Sequence, residues 1–161
     1  MGRKSIKANK NIYFTSREDA GLTRAEASEL TKYLSESRIE KIENERTRVQ
    51  PDDVIAMSRA YKKPALCNYY CTHECSIGKD TVAEIQPSNL SEISLKIFNS
   101  LNVLDKQKER LLEIAEDGTI SSDEISDFKN IQENLNKISN IVETLKLWVE
   151  QATSDGDITL I

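Results

Sequence analysis

From Ile125 to Val149 the apolar residues Ile125, Phe128, Ile131, Leu135, Ile138, Val142, Leu145 and Val149 recur at spacings of 3, 3, 4, 3, 4, 3 and 4. This is close to a heptad seam, the pattern of a helix that lies along another helix for most of its length. A partner stretch sits upstream. Between Ser88 and about Glu116, Leu90, Ile93, Ile97, Leu101, Leu104, Leu111 and Ala115 fall on one side of a helix. The intervening "EDGTISSDE" supplies Gly118 for a turn and Ser121 or Ser122 as the next N-cap. Two long amphipathic helices with a short connection make an antiparallel hairpin. A lone hairpin leaves apolar surface bare, so it should dock on the rest of the chain or pair with another copy. A homodimer is the expectation.

The remaining sequence also reads as helices, separated by clear punctuation. Only 5 Gly and 3 Pro occur in 161 residues, and no alternating strand pattern stands out, so the class is all-α. "NIYFTSREDAG" is a first helix closed by Gly21, which can take the left-handed conformation beyond a C-cap. "TRAE" at 23–26 is a capping box opening a second helix, with Ala27 and Leu30 inward. Ser35 caps "ESRIEKIEN", a third helix with Ile39 and Ile42 inward. "QPDDVIAMSRAY" places Pro51 at the first helical position with two acids behind it, where they complement the helix dipole. Pro64 then starts a stretch that ends at Gly78, and 79–89 reads as a linker.

Residues 13–61 resemble the helix-turn-helix domain of the Cro/phage-repressor (Xre) family of bacterial DNA-binding regulators. The matching residues are "REDAGLTRAEASEL", "SESRIEKIEN" and "PDDVIAMSRAY". In that family "AGLT" joins the first two helices, the third ends in "IEN", and a fourth follows a proline-containing loop. The resemblance implies a bundle of about five helices that binds double-stranded DNA, with the third helix in the major groove. Glu36, Ser37 and Arg38 would then reach base edges, with Lys41 one turn on. Arg38 can pair bidentately with guanine, Ser37 can serve several bases, and Glu36 can accept from a cytosine amino group. Thr23 and Arg24 map onto the family's phosphate grip. Arg17, Arg46 and Arg48 are further phosphate candidates, and Lys4, Lys7 and Lys10 would form a basic arm.

The sequence departs from the family pattern in three places. "TKYLSE" is a turn one residue longer than usual and lacks a glycine, and Glu45 stands where a glycine commonly follows "IEN". The third helix carries Glu36, Glu40 and Glu43 against Arg38 and Lys41, a net −1, unless some of these acids face away from the groove. Sequence-independent affinity should therefore rest on the flanking arginines. Charge over the chain runs the expected way. Residues 1–63 hold 14 Lys+Arg against 10 Asp+Glu (+4), and residues 64–161 hold 8 against 17 (−9).

"CNYYCTHEC", 67–75, contains all three cysteines and the single histidine. In a helix, Cys67, Cys71 and Cys75 form one stripe about 80° wide, and His73 points about 160° from Cys71. Cys67 and Cys75 would be about 12 Å apart along the axis, too far to share one zinc ion. A helix thus allows a buried stripe, and a site using all three sulfurs requires another backbone. The expectation is a packed connector without cofactor or metal, and a metal- or redox-sensing role stays open as an alternative.

Other constellations carry less. "DGTISSDEI" resembles the end of an EF-hand loop, yet Ala115 would fall at a position that needs an oxygen ligand. No Walker loop, G-x-S-x-G or H-E-x-x-H motif is present, and no enzyme is expected. No run of eighteen apolar residues occurs, and "MGRKSIKANKNIYF" lacks a secretory h-region. "MGRKSI" fits the myristoylation pattern, which is too permissive to carry an argument. Three cysteines within nine residues do not suit a disulfide framework, so a reducing cytoplasm is expected. The organisation read from the sequence is 1–63 DNA-binding, 64–87 connector, 88–153 hairpin for dimerisation, and 154–161 a tail. A helical protein-interaction module that has lost DNA binding is the alternative from another class.

Overall fold

The computed structural model describes residues 10–159, which form helices and no strand. In chain order these are α1 (Ile12–Asp19), α2 (Arg24–Thr31), α3 (Glu36–Glu43), α4 (Pro51–Ala60), α5 (Ala65–His73), α6 (Ser76–Thr81), α7 (Leu90–Ala115) and α8 (Ile125–Asp155). The all-α class follows as expected. Two compact units divide the chain, one up to Glu84 together with the residues from Glu150 on, the other Ile85–Val149.

The first four helices start where the cap residues announce them. The Asn11 side chain accepts the Phe14 N–H at 3.0 Å. Thr23 and Glu26 close a full capping box, the Glu26 carboxylate taking the Thr23 N–H at 2.7 Å. Ser35 accepts the Arg38 N–H, and Pro51 opens α4. Tyr13, Ala27, Leu34, Ile39, Ile42 and Met57 lead the core. Leu30, expected to face inward, is instead exposed. Ala27 is the buried residue of α2, and Leu34 from the turn fills the neighbouring core position, so Leu30 is left outside.

Helix ends show a recurring device. After α1, Gly21 is left-handed (φ 72°) and Leu22 N–H returns to the Arg17 carbonyl, a Schellman motif. After α3 and α4 the same pair of bonds forms, but the left-handed residues are Glu45 (φ 57°) and Lys62 (φ 51°). The glycine that the family pattern has after "IEN" therefore answers a backbone need that Glu45 meets at a cost, because a Cβ crowds the left-handed region. Lys32 (φ 54°) does the same in the glycine-free turn after α2. Lys62→Gly is expected to stabilise the first unit by about 0.5–1 kcal/mol, read as a rise in urea midpoint at constant m-value.

The cysteine segment is not one helix. It breaks at Glu74–Cys75, and α6 starts anew with Cys75 as its N-cap, its sulfur accepting the Gly78 N–H at 3.4 Å. Cys67 and Cys71 remain together on α5 while Cys75 leaves the stripe. The break brings α6 close against α5: a Cβ on Gly78 would lie 2.2 Å from the Cys71 carbonyl oxygen. His73 stacks on Tyr69 with ring centroids 4.3 Å apart. All three thiols are free and partly exposed, and burial, then Cys75 and Cys67, push the Cys71 thiol up. No cluster of His, Cys, Asp or Glu suited to a metal ion occurs among the described residues. Gly78→Ala must move α6 off α5, and a loss of about 2 kcal/mol in chemical denaturation is expected.

In the second unit α7 and α8 run antiparallel. Arg110 Nε bonds Asp127 Oδ2 at 2.7 Å near the turn, and Asn134 Nδ2 reaches the Ser100 carbonyl at 3.3 Å farther along. On α7 the inward line is Ile93, Ile97, Ser100, Leu104, Gln107, Leu111 and Ile114, and on α8 it runs through Ile131, Asn134, Ile138, Ile141, Leu145 and Trp148. Leu90, Leu101 and Ala115 on α7, and Ile125, Leu135 and Val142 on α8, were expected inward and are exposed. The apolar arc of each helix is wider than one seam, so the helices settle on a line rotated from the heptad reading. At the turn, Asp117 accepts the Thr119 N–H, and Glu124 accepts the Ser121 N–H. α8 extends through Ser154 and Asp155, where a tail was expected to begin, and Gln151 Nε2 bonds the Lys62 carbonyl at 3.0 Å.

Candidate nucleic-acid interface

α2 and α3 are joined by the four residues Lys32–Ser35 and rest on α1 and α4. The turn is locked internally: Ser28 Oγ donates to the Leu34 carbonyl at 2.7 Å, and Leu34 is buried as its plug. The periodicity of α3 sorts its side chains. Ile39, Ile42 and Glu43 are buried, leaving Ser37 and Lys41 on the outward line and Glu36 and Glu40 exposed beside it.

Glu43 is the unexpected member of the buried set. Its carboxylate accepts from Arg17 Nε at 2.5 Å and Nη2 at 3.1 Å, and from Arg24 Nε at 2.7 Å. Arg17 Nη1 also donates to the Leu22 carbonyl at 2.6 Å, tying in the loop between α1 and α2. Burial works against the Arg17 charge, but its bonds to Glu43 outweigh this and hold the guanidinium pKa above its ordinary value. Burial, then the nearby Glu43 charge, pushes the Tyr61 phenol up in the same region.

A second ion pair holds the other end of α3. Arg38 makes a two-toothed contact with Asp53 at the start of α4, Nε to Oδ1 at 3.1 Å and Nη2 to Oδ2 at 2.5 Å. Asp53 Oδ2 also takes the Gln50 N–H at 2.9 Å, completing its cap role. These bonds to Asp53 raise the Arg38 pKa. One edge of the guanidinium is thus occupied inside the protein.

The residues singled out from the sequence therefore divide. Ser37, Glu36 and Lys41 are exposed on α3, Thr23 is exposed at the start of α2, and Arg24 is half-exposed beside it. Arg46 and Arg48 are exposed in the loop after α3. Arg17 lies inside, and Arg38 leans on α4. Lys4 and Lys7 lie outside the described residues, and Lys10 bonds Glu18 at 2.7 Å over the Phe14 ring. Sequence reasoning passed over Tyr33, exposed in the turn, and the pairing roles of Glu43 and Asp53. For Tyr33 the signal was an aromatic in a turn where packing does not need one. For the two acids there was none, since surface and buried carboxylates look alike in sequence.

This arrangement defines a helix-turn-helix domain. Residues 15–65 match the model of a family described as a helix-turn-helix domain. No curated protein and no solved structure matches the chain. No helix among the described residues is long and apolar enough to cross a membrane.

Removing the Glu43 charge leaves Arg17 buried without its counter-ion. Glu43→Gln is expected to cost about 3 kcal/mol, measured by urea unfolding, with Arg17→Met in the same chain recovering part of the loss.

Proposed function

We propose that the chain is a sequence-specific DNA-binding transcriptional regulator of the Cro/phage-repressor (Xre) type, acting as a homodimer in the cytoplasm. One observation carries this reading: Glu43 is turned inward and neutralised, so Ser37 and Lys41 form the outward line of α3, with Glu36 and Glu40 beside it. α3 enters the major groove, where Ser37 and Lys41 read base edges and Glu36 accepts from cytosine. Arg38 serves a base or a phosphate with the guanidinium edge that Asp53 leaves open. Thr23, Arg24, Arg46 and Arg48 hold phosphates, and Tyr33 adds a contact from the turn. Arg17 acts from behind by holding Glu43. Two copies would read a pseudo-palindromic site, with half-sites spaced by helical turns.

A protein-binding role is the second reading, and a specific observation favours it. Leu30 and Tyr33 are exposed on α2 and its turn, near the acids Glu36 and Glu40. A metal- or redox-sensing variant would use Cys67, Cys71 and Cys75. DNA affinity unchanged when all three become serine removes it.

Selection from random duplexes is expected to enrich one motif. Arg46→Ala and Arg48→Ala should each weaken binding to all sequences alike and lower the salt slope by about one. Lys41→Ala should instead cost about 1–3 kcal/mol at one base position and relax preference there. A library in which no sequence enriches overturns the DNA reading and favours a protein partner.

A further inference from the structure

The second unit buries little of its own apolar surface. Across Ile85–Val149 the fully buried apolar side chains are Ile93, Ile114 and Ile131, a thin core for two helices of this length. Of the ten large apolar side chains exposed in this unit, six gather on one face. Leu90, Leu101 and Leu112 are exposed and eleven residues apart, a spacing that returns to within about 20° on a helix, so they form a nearly straight line some 33 Å long. Phe98 borders that line. The leucine line lies about 90° around α7 from the buried seam, and on α8 Leu135 and Val142 lie about 80° from theirs in the same rotational sense. In an antiparallel pair, turns of equal sense about the two reversed axes lead to the same side. Both lines therefore share one face of the hairpin.

We infer that this face packs against the same face of a second copy, closing a four-helix arrangement. The inference rests on the homodimer reading and names its surface. The six side chains expose on the order of 500 Å², near the upper end of the bare patches of monomers, roughly 300–600 Å². With flanking stems this approaches the ~800 Å² that each partner gives to a standard interface. An isologous contact needs one self-complementary surface, and a face built equally from both helices of the hairpin supplies it.

The experiment compares leucines of similar exposure on one helix. Leu112 (70% exposed) lies on the face, whereas Leu95 (62%) lies beyond it on the far side of α7. Sedimentation equilibrium of the full chain should give a dimer. Leu101→Lys with Leu112→Lys should weaken it at least a hundredfold with helical circular dichroism intact, and Leu95→Lys should leave it unchanged. If the double variant loses helicity, Leu101→Cys in a chain whose three natural cysteines are serine replaces it, and a short bismaleimide should link two copies efficiently. A wild-type monomer overturns both the face and the homodimer. A dimer indifferent to the double substitution, equally weakened by Leu95→Lys, or not linked through position 101 overturns the face and leaves the homodimer standing.

Discussion

The Glu43 carboxylate, wholly removed from solvent, joins three helices at one point: its own α3, α1 through Arg17, and α2 through Arg24. Burying a carboxylate is costly unless charge and hydrogen bonds both compensate, and here two guanidinium groups do so. Arg17 then extends the network to the Leu22 carbonyl in the loop before α2. Because guanidinium and carboxylate are planar and directional, the contact fixes angles as well as distances. The azimuth of α3, and with it which residues face outward, follows from this bond set. At the opposite end of α3 the Arg38–Asp53 pair fixes its approach to α4.

These two pairs also redistribute charge. Glu43 and Asp53 are the buried acids of the helix-turn-helix, each neutralised by arginine, so the unpaired exposed charges of α3 are Glu36 and Glu40 against Lys41. Glu36 and Glu40 stay exposed, and Arg46 and Arg48 stand clear in the loop beyond. A polar outward line flanked by arginines relies more on base contacts and flanking phosphates than on a strongly basic helix.

Much of this was legible in the sequence because the governing interactions are local. Capping at Thr23 and Ser35, the Pro51 start and the Gly21 stop each involve residues within one turn, so spacing alone predicts them. What spacing could not give was the partner of a long side chain. Arg17 read as a phosphate contact and Arg38 as a base contact because an arginine with an acid 26 or 15 residues away in sequence gives no sign of pairing. The same limit hid the break in the cysteine segment, where the Cys71 backbone and Gly78 approach across seven residues. It also hid the rotation of the hairpin seam, since an apolar arc wider than one stripe admits more than one registration.

By itself the sequence determined the all-α class, the starts of the first five helices, the left-handed stop at Gly21, and the existence of a helical hairpin. Those follow from periodicity and cap chemistry, which act over a few residues. Only tertiary structure decided which charges are spent inside, where the cysteine stripe breaks, and which apolar line of α7 and α8 stays bare. Each of these depends on which surfaces meet, and burial is a property of the assembled fold that no local stretch of chain encodes.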